Sequence, residues 1–211
     1  MSDEHRSAED KQKVTIDDWL RAKAVALTRP VAEVLARLNV HPNTITLFGL
    51  TANIIAGFVV AYGSLRVGGL IMLAGSSTDA LDGTLARLTS RQSRFGAFLD
   101  STLDRLSEGA VLTGLIAWYV TQASLLGALL CVTVLLGSVM VSYTRARAEG
   151  LGFDCKVGWF TRPIRVFILG LGLVTTWLVP ILTVLSVLTW FTVGQRVRHV
   201  YLASQDEVRA T

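Results

Sequence analysis

Residues 44–63 run for twenty positions without a charged side chain, enough helix to cross about 30 Å of hydrocarbon. Similar apolar runs follow at residues 67–87, 95–121, 124–143, 164–178 and 180–194. The last two are short, and Pro180 either separates two helices or kinks one. A chain of 51% hydrophobic and 17% charged residues falls below the charged fraction of about a quarter usual in soluble domains. Backbone in lipid must satisfy its own hydrogen bonds, which makes such runs helical. The expectation is an all-α integral membrane protein with six transmembrane helices, five being the alternative count.

Four segments follow from this pattern. Residues 1–15 form a polar N-terminal tail in which no cleavable signal peptide is expected. Residues 16–40 place Trp19, Leu20, Ala24, Leu27, Val31, Val34, Leu35 and Leu38 at helical spacing among charged side chains. That predicts an amphipathic juxtamembrane helix lying at the interface and bent at Pro30. Residues 41–200 hold the spans, and residues 201–211 form a polar C-terminal tail. The net charge of +4 raises the question of nucleic acid, but the basic side chains cluster in loops and tails. In a six-span arrangement only Arg66 falls on the side opposite to the rest. The positive-inside rule puts both termini and the basic loops in the cytoplasm, at the cell membrane, with no nucleic-acid partner required.

Two of the spans contain acids. Asp79 and Asp82 lie three residues apart in SSTDALDGTLAR, and Asp100 and Asp104 four apart in FGAFLDSTLDRLSEGA, followed by Arg105 and Glu108. Carboxylates in a membrane span are costly unless paired, hydrated or bound to a cation. Each pair shares one helix face, and the short connection 88–94 makes the helices antiparallel neighbours. Convergent carboxylates suit Mg²⁺, Mn²⁺ or Ca²⁺, and Mg²⁺ commonly shares its sites with phosphates. Gly83 lets a ligand approach the backbone, and Arg87, one turn on, can pair with a phosphate. Inter-helix ion pairs and a cation transporter's pathway are the competing readings of the acids.

The segment Asp79-Ala-Leu-Asp82-Gly83-Thr-Leu-Ala86-Arg87, then Gly96, Asp100 and Asp104 at fixed spacing, resembles the CDP-alcohol phosphatidyltransferase signature across 26 residues. The resemblance implies that Asp79, Asp82 and Asp100 hold two divalent cations, Mg²⁺ or Mn²⁺. Asp104 would also lie near metal and act as general base. It implies CDP-lipid contacts from Gly83, Arg87 and Ser93. In HPNTIT, His41, Pro42, Asn43 and Thr44 look like the motif that opens the family's first span and lines its cytidine pocket. The implied reaction is attack of an acceptor hydroxyl on a CDP-linked lipid, with release of CMP. A homodimer among membrane lipids is also implied.

The acceptor is read from a second basic cluster. SYTRARAE at 142–149 and TRPIR at 161–165 resemble the SYxKARAE and ERPER-like segments of the phosphatidylinositol phosphate synthase branch, bacterial and archaeal. That branch implies Arg145, Arg162 and Arg165 as ligands of the acceptor phosphate and inositol 1-phosphate as the acceptor. Glycerol 3-phosphate, as in phosphatidylglycerophosphate synthases, is the alternative. Thr161 and Ile164 replace both glutamates of the ERPER-like segment, a departure that bears on acceptor choice.

The remaining singular residues carry less. Cys131 and Cys155 form no framework, and His5 and His199 are expected to be solvated. Trp118, Trp159, Trp177, Trp190, Tyr119 and Tyr143 fall near span ends as candidate interfacial anchors. GLTANIIAG and LGLG offer small residues for close helix packing.

Overall fold

In the computed structural model the backbone is described for residues 16–158 and 160–210, and side chains for residues 27–158 and 160–206. The expected 1–15 tail, with His5, and Trp159 lie outside the described residues. Seven helices and no strand occur among the described residues: α1 (Ile16–Arg37), α2 (Pro42–Ala61), α3 (Leu65–Leu88), α4 (Arg94–Thr121), α5 (Leu125–Gly150), α6 (Arg162–Thr175) and α7 (Leu178–Ala210).

Three of them, α2, α5 and the stretch Leu178–Asp206 of α7, are long and apolar enough to cross a membrane by length and composition. The other three expected spans, α3, α4 and α6, are not among these three. Helices α3 and α4 carry the acidic residues along their length. Helix α6 has 14 residues, about 21 Å at 1.5 Å per residue.

Local chemistry sets the boundaries. Pro42 starts α2, where a missing N–H costs no hydrogen bond, and His41 Nδ1 accepts from the Asn43 amide at 3.2 Å. Ser93 caps α4 by accepting from the Gly96 amide at 2.9 Å. The α6–α7 break falls at Thr176, in the left-handed region with φ 63°, and Trp177. Pro180 does not divide that pair; it sits in the first turn of α7, where proline is tolerated. Helix α1 likewise runs unbroken through Pro30 and ends at Arg37, and the expected polar tail 201–211 continues α7 as far as Ala210.

Helix α2 packs on α3 and α4, α5 on α4 and α7, and α6 on α3 and α7. Their shared core contains Val60, Met72, Leu112, Leu115, Val134, Leu169, Leu173 and Leu182. Small residues bring the helix backbones into contact, as the GLTANIIAG and LGLG runs suggested. A Cβ on Gly114 of α4 would collide with the Gly57 carbonyl of α2, and one on Gly69 of α3 would stand 2.7 Å from Leu173 Cβ of α6. These motifs are used inside the chain. Tyr119 is buried in the core rather than anchored at a surface, while Trp177, Trp190 and Tyr143 are exposed. His199 Nε2 lies 2.9 Å from the Asp154 carbonyl and tethers the α5–α6 loop to α7.

Helix α1 docks on α3 through the fully buried Ala32 and a 3.1 Å hydroxyl contact from Thr28 to Thr84. Its other face exposes Leu27, Val31 and Val34, a row at helical spacing that Leu38 continues just past the helix end.

Candidate active site

The five-residue turn between α3 and α4 folds the two acidic segments onto each other. Ser90 turns the chain in the left-handed region, φ 53°, and the Ser93 cap then launches α4. Asp79 therefore comes from α3, and Asp100 and Asp104 from successive turns of α4. Each of the three offers a carboxylate oxygen, and these atoms lie within 4.8 Å of one another. Asp82 stands apart from this trio. It is buried, and its Oδ2 accepts from Thr46 Oγ1 of α2 at 2.7 Å.

The cluster fits a divalent cation on its own terms. Its donors are all oxygen, the set that hard cations take. Asp100 Oδ1 is buried and has no hydrogen-bond partner among the described residues, an expensive state for a carboxylate oxygen unless a cation completes it. The cluster also recruits positive charge from the chain: Arg162 Nη1 donates to Asp79 Oδ2 at 2.5 Å and forms an ion pair with Asp104 Oδ1 at 2.8 Å.

A cleft of about 310 Å³ opens beside the acids. Asp82 and Asp100 form part of its wall, together with Pro42, Asn43, Gly83, Arg87 and Ser93, five of the seven residues expected at the nucleotide. Gly83 contributes by what it lacks, since a Cβ there would meet only the Arg87 guanidinium, at 3.7 Å. Arg87 is held from one side by Thr84 Oγ1, to which its Nη2 donates at 3.2 Å, and it stays exposed toward the cleft. The remaining two of the seven, His41 and Thr44, do not line the cleft; His41 builds the start of α2 instead.

Sequence reasoning missed three contributors. Thr46 orients Asp82 from 36 positions away. Arg91 and Gln92 line the cleft from the α3–α4 turn, and Arg91 donates to Asn39 Oδ1 at 2.6 Å. Only their place between the two acidic pairs hinted at this.

The three arginines expected together at an acceptor phosphate separate. Arg162 enters the acid cluster. Arg145 pairs with Glu149 one turn along α5, at 2.8 Å. Arg165 is already engaged by partners within the chain. It is 2% exposed, and its Nε and Nη2 donate to the two Glu108 oxygens at 3.1 and 3.0 Å. Ser138 Oγ adds a 2.8 Å bond to the same carboxylate. This ties α4, α5 and α6 together one turn below Asp104. Nearby, Arg196 of α7 is buried and donates to the carbonyls of Val141 and Val157, pinning the α5–α6 loop. A second cavity of about 540 Å³ between α6 and α7 is lined by Phe160, Ile164, Ile168, Leu188, Phe191, Thr192 and Gln195 and holds no titratable group.

The archaetidylinositol phosphate synthase of Methanothermobacter thermautotrophicus is 37% identical over 178 residues, covering 82% of this chain and 87% of that protein. The phosphatidylinositol phosphate synthase of Mycobacteroides abscessus is 34% identical over 186 residues, covering 82% and 83%. Among solved structures, the Mycobacterium tuberculosis phosphatidylinositol phosphate synthase with CDP-DAG bound superposes with a TM-score of 0.76 at 31% identity, over 83% of this chain and 94% of that one. The same enzyme in complex with manganese and citrate gives 0.77 at 31% identity, over 82% and 88%. The family model of the CDP-alcohol phosphatidyltransferases matches residues 39–197, which include every helix that contributes to the acids and the cleft. The chain belongs to the CDP-alcohol phosphatidyltransferase family.

Proposed function

We propose that the chain transfers a phosphatidyl-type group from a CDP-linked lipid to a phosphorylated polyol, inositol 1-phosphate, and releases CMP. The observation that carries this is a three-carboxylate cluster within 4.8 Å adjoining a cleft walled by Asn43, Gly83, Arg87 and Ser93. The names of the relatives favour inositol phosphate as acceptor.

Asp79, Asp100 and Asp104, with Asp82 beside them, would hold Mg²⁺ or Mn²⁺, two ions in the family's pattern. Bound there, the cations neutralise charge on the diphosphate and on the leaving oxygen. The manganese complex of the tuberculosis enzyme supports the choice of metal. The chain's own groups do the rest. Arg87 and the open backbone at Gly83 take the nucleotide phosphates, while Pro42, Asn43 and Ser93 wall the nucleotide. The acceptor hydroxyl oxygen attacks the phosphorus that bears the lipid alcohol, and the bond from that phosphorus to the CMP oxygen breaks. Asp104 takes the hydroxyl proton, the work of a positioned carboxylate base. Arg162, one residue inside α6, is the arginine best sited for the acceptor phosphate.

Six spans, with α3, α4 and α6 crossing beside the three apolar helices, keep the acids at one membrane surface, where a lipid donor and a water-soluble acceptor can meet. Loop charge favours the cytoplasmic surface, and the apolar row on α1 favours an interfacial position for that helix. The family pattern favours a homodimer.

An omission experiment tests the reaction. The purified full chain in lipid nanodiscs should release CMP from CDP-diacylglycerol only when Mn²⁺ or Mg²⁺ and inositol 1-phosphate are both present. CMP release at an equal rate without acceptor would mean simple hydrolysis and would overturn the transferase reading.

A further inference from the structure

Two arginines one turn apart on α6 meet carboxylates in opposite ways. Arg165 and Glu108 form a closed fork, both side chains almost fully buried, with Ser138 completing the acid. Arg162 instead reaches two acids on two helices through a single nitrogen, and its Nε is buried without a hydrogen-bond partner among the described residues. Both acids it holds belong to the trio within 4.8 Å, and the third, Asp100, keeps an unpartnered buried oxygen. An arginine that serves only as a helix clamp has the Arg165 arrangement. The Arg162 arrangement is a positive charge seated across carboxylates whose oxygens suit a metal.

We propose that Arg162 is an exchangeable counter-cation of the Asp79–Asp100–Asp104 cluster. A divalent cation displaces its guanidinium, and the released side chain then binds the acceptor phosphate, so that cation loading opens the acceptor subsite. This rests on the transferase reading above.

Three features drive the exchange. The guanidinium and a divalent cation compete for the same carboxylates, Asp79 and Asp104, and repel each other at that range. The planar guanidinium has donors to spare for a phosphate, which it recognises in bidentate fashion. Arg162 is also the first residue of α6, so the freed side chain stays at a helix N-terminus, where backbone amides favour an anion. By linkage, whatever factor the cation adds to phosphate affinity, phosphate adds to cation affinity. Arg162 is thus a positioning residue as well as a ligand, and through it the cation and the acceptor each favour the binding of the other.

The test is binding, with no CDP-lipid present. Mn²⁺ affinity of the full chain in nanodiscs is measured by electron paramagnetic resonance, and inositol 1-phosphate affinity by calorimetry with and without Mn²⁺. In the unsubstituted protein, saturating Mn²⁺ should tighten inositol 1-phosphate binding by about tenfold, within the usual range of coupling between sites. Arg162→Gln should tighten Mn²⁺ binding by a similar factor of about ten and lose the coupling. Arg162→Lys, which retains the charge, should restore part of the competition. Equal inositol 1-phosphate affinity with and without Mn²⁺ in the unsubstituted protein would overturn the proposal, and so would unchanged or weaker Mn²⁺ binding in Arg162→Gln. The first comparison needs no variant. Failure of the transferase reading looks different: no phosphorylated acceptor supports CMP release, whatever the binding data give.

Discussion

Replacing Glu108 with alanine leaves the Arg165 guanidinium 2% exposed and strips it of its 3.0 and 3.1 Å carboxylate contacts. What remains to it is the Phe160 carbonyl at 3.4 Å. Opposite unit charges 4 Å apart attract by about 4 kcal/mol at an effective dielectric of roughly 20. Losing one partner of a buried pair costs about 3–5 kcal/mol in practice. Against a total stability of about 5–15 kcal/mol, that is a large share. The loss should appear in reversible unfolding in mixed micelles, and Arg165→Met should match it. The double replacement Glu108→Leu with Arg165→Met removes both charges at similar volume and should recover most of the loss. Three outcomes would refute this account of the pair. One is a Glu108→Ala variant within about 0.5 kcal/mol of the unsubstituted protein, the range of ordinary surface changes. Another is strict additivity of the two single losses. The third is an Arg165→Met variant of full stability whose only defect is a raised KM for the acceptor, which would return Arg165 to the phosphate.

Other expectations follow from single contacts. Asp104→Asn should lower CMP release by about 100- to 10,000-fold, the usual worth of a general base, while circular dichroism keeps its helical signal; undiminished turnover would remove Asp104 from the chemistry. Thr46→Val deprives the buried Asp82 carboxylate of its 2.7 Å donor. It should cost about 1.5–3 kcal/mol of stability in chelator, with a smaller gap once Mn²⁺ is added, and an equal gap under both conditions would separate Asp82 from the cation site. Gly114→Ala drives a methyl against the Gly57 carbonyl, whose carbon would lie 2.6 Å away, and should destabilise by about 1–3 kcal/mol. Gly109→Ala on the same helix meets only Leu135 Cδ1, at 3.7 Å, and should be tolerated; thermal unfolding of the two variants side by side checks the α2–α4 approach.

The acids were legible in the sequence because their information is local. Spacings of three and four residues put Asp79 with Asp82 and Asp100 with Asp104 on helix faces, and a short turn between the pairs made them meet. The cleft was legible for the same reason, since Gly83, Arg87 and Ser93 flank that turn. Pairings between distant segments were not. Asp82 lies outside the trio and is bonded instead by the Thr46 hydroxyl of another helix. Glu108 was visible as a charge in an apolar run, and its burial required a cation, yet nothing local distinguished Arg165 from Arg162 or Arg145 as that cation. Helix packing decided it: Arg165 faces the α4–α5 seam, while Arg162, three residues earlier, faces the acids. The α6–α7 boundary was misplaced because proline is a strong signal in sequence but costs little in a first helical turn. The actual break, at Thr176, carries no such mark. The six-span count rested on apolar runs, and among the described residues α2, α5 and α7 meet that standard by length and composition, while acids interrupt the apolar runs of α3 and α4.

The most direct test of the central claim is an acceptor panel with the purified full chain in nanodiscs. CDP-diacylglycerol and Mn²⁺ are held constant while inositol 1-phosphate, glycerol 3-phosphate, inositol and serine are compared by CMP release and by mass of the lipid product. The account predicts a phosphatidylinositol phosphate product from inositol 1-phosphate, at a rate well above that of either neutral alcohol, and its loss when EDTA removes the cation. A preference for inositol or serine, or a rate indifferent to EDTA, would contradict it.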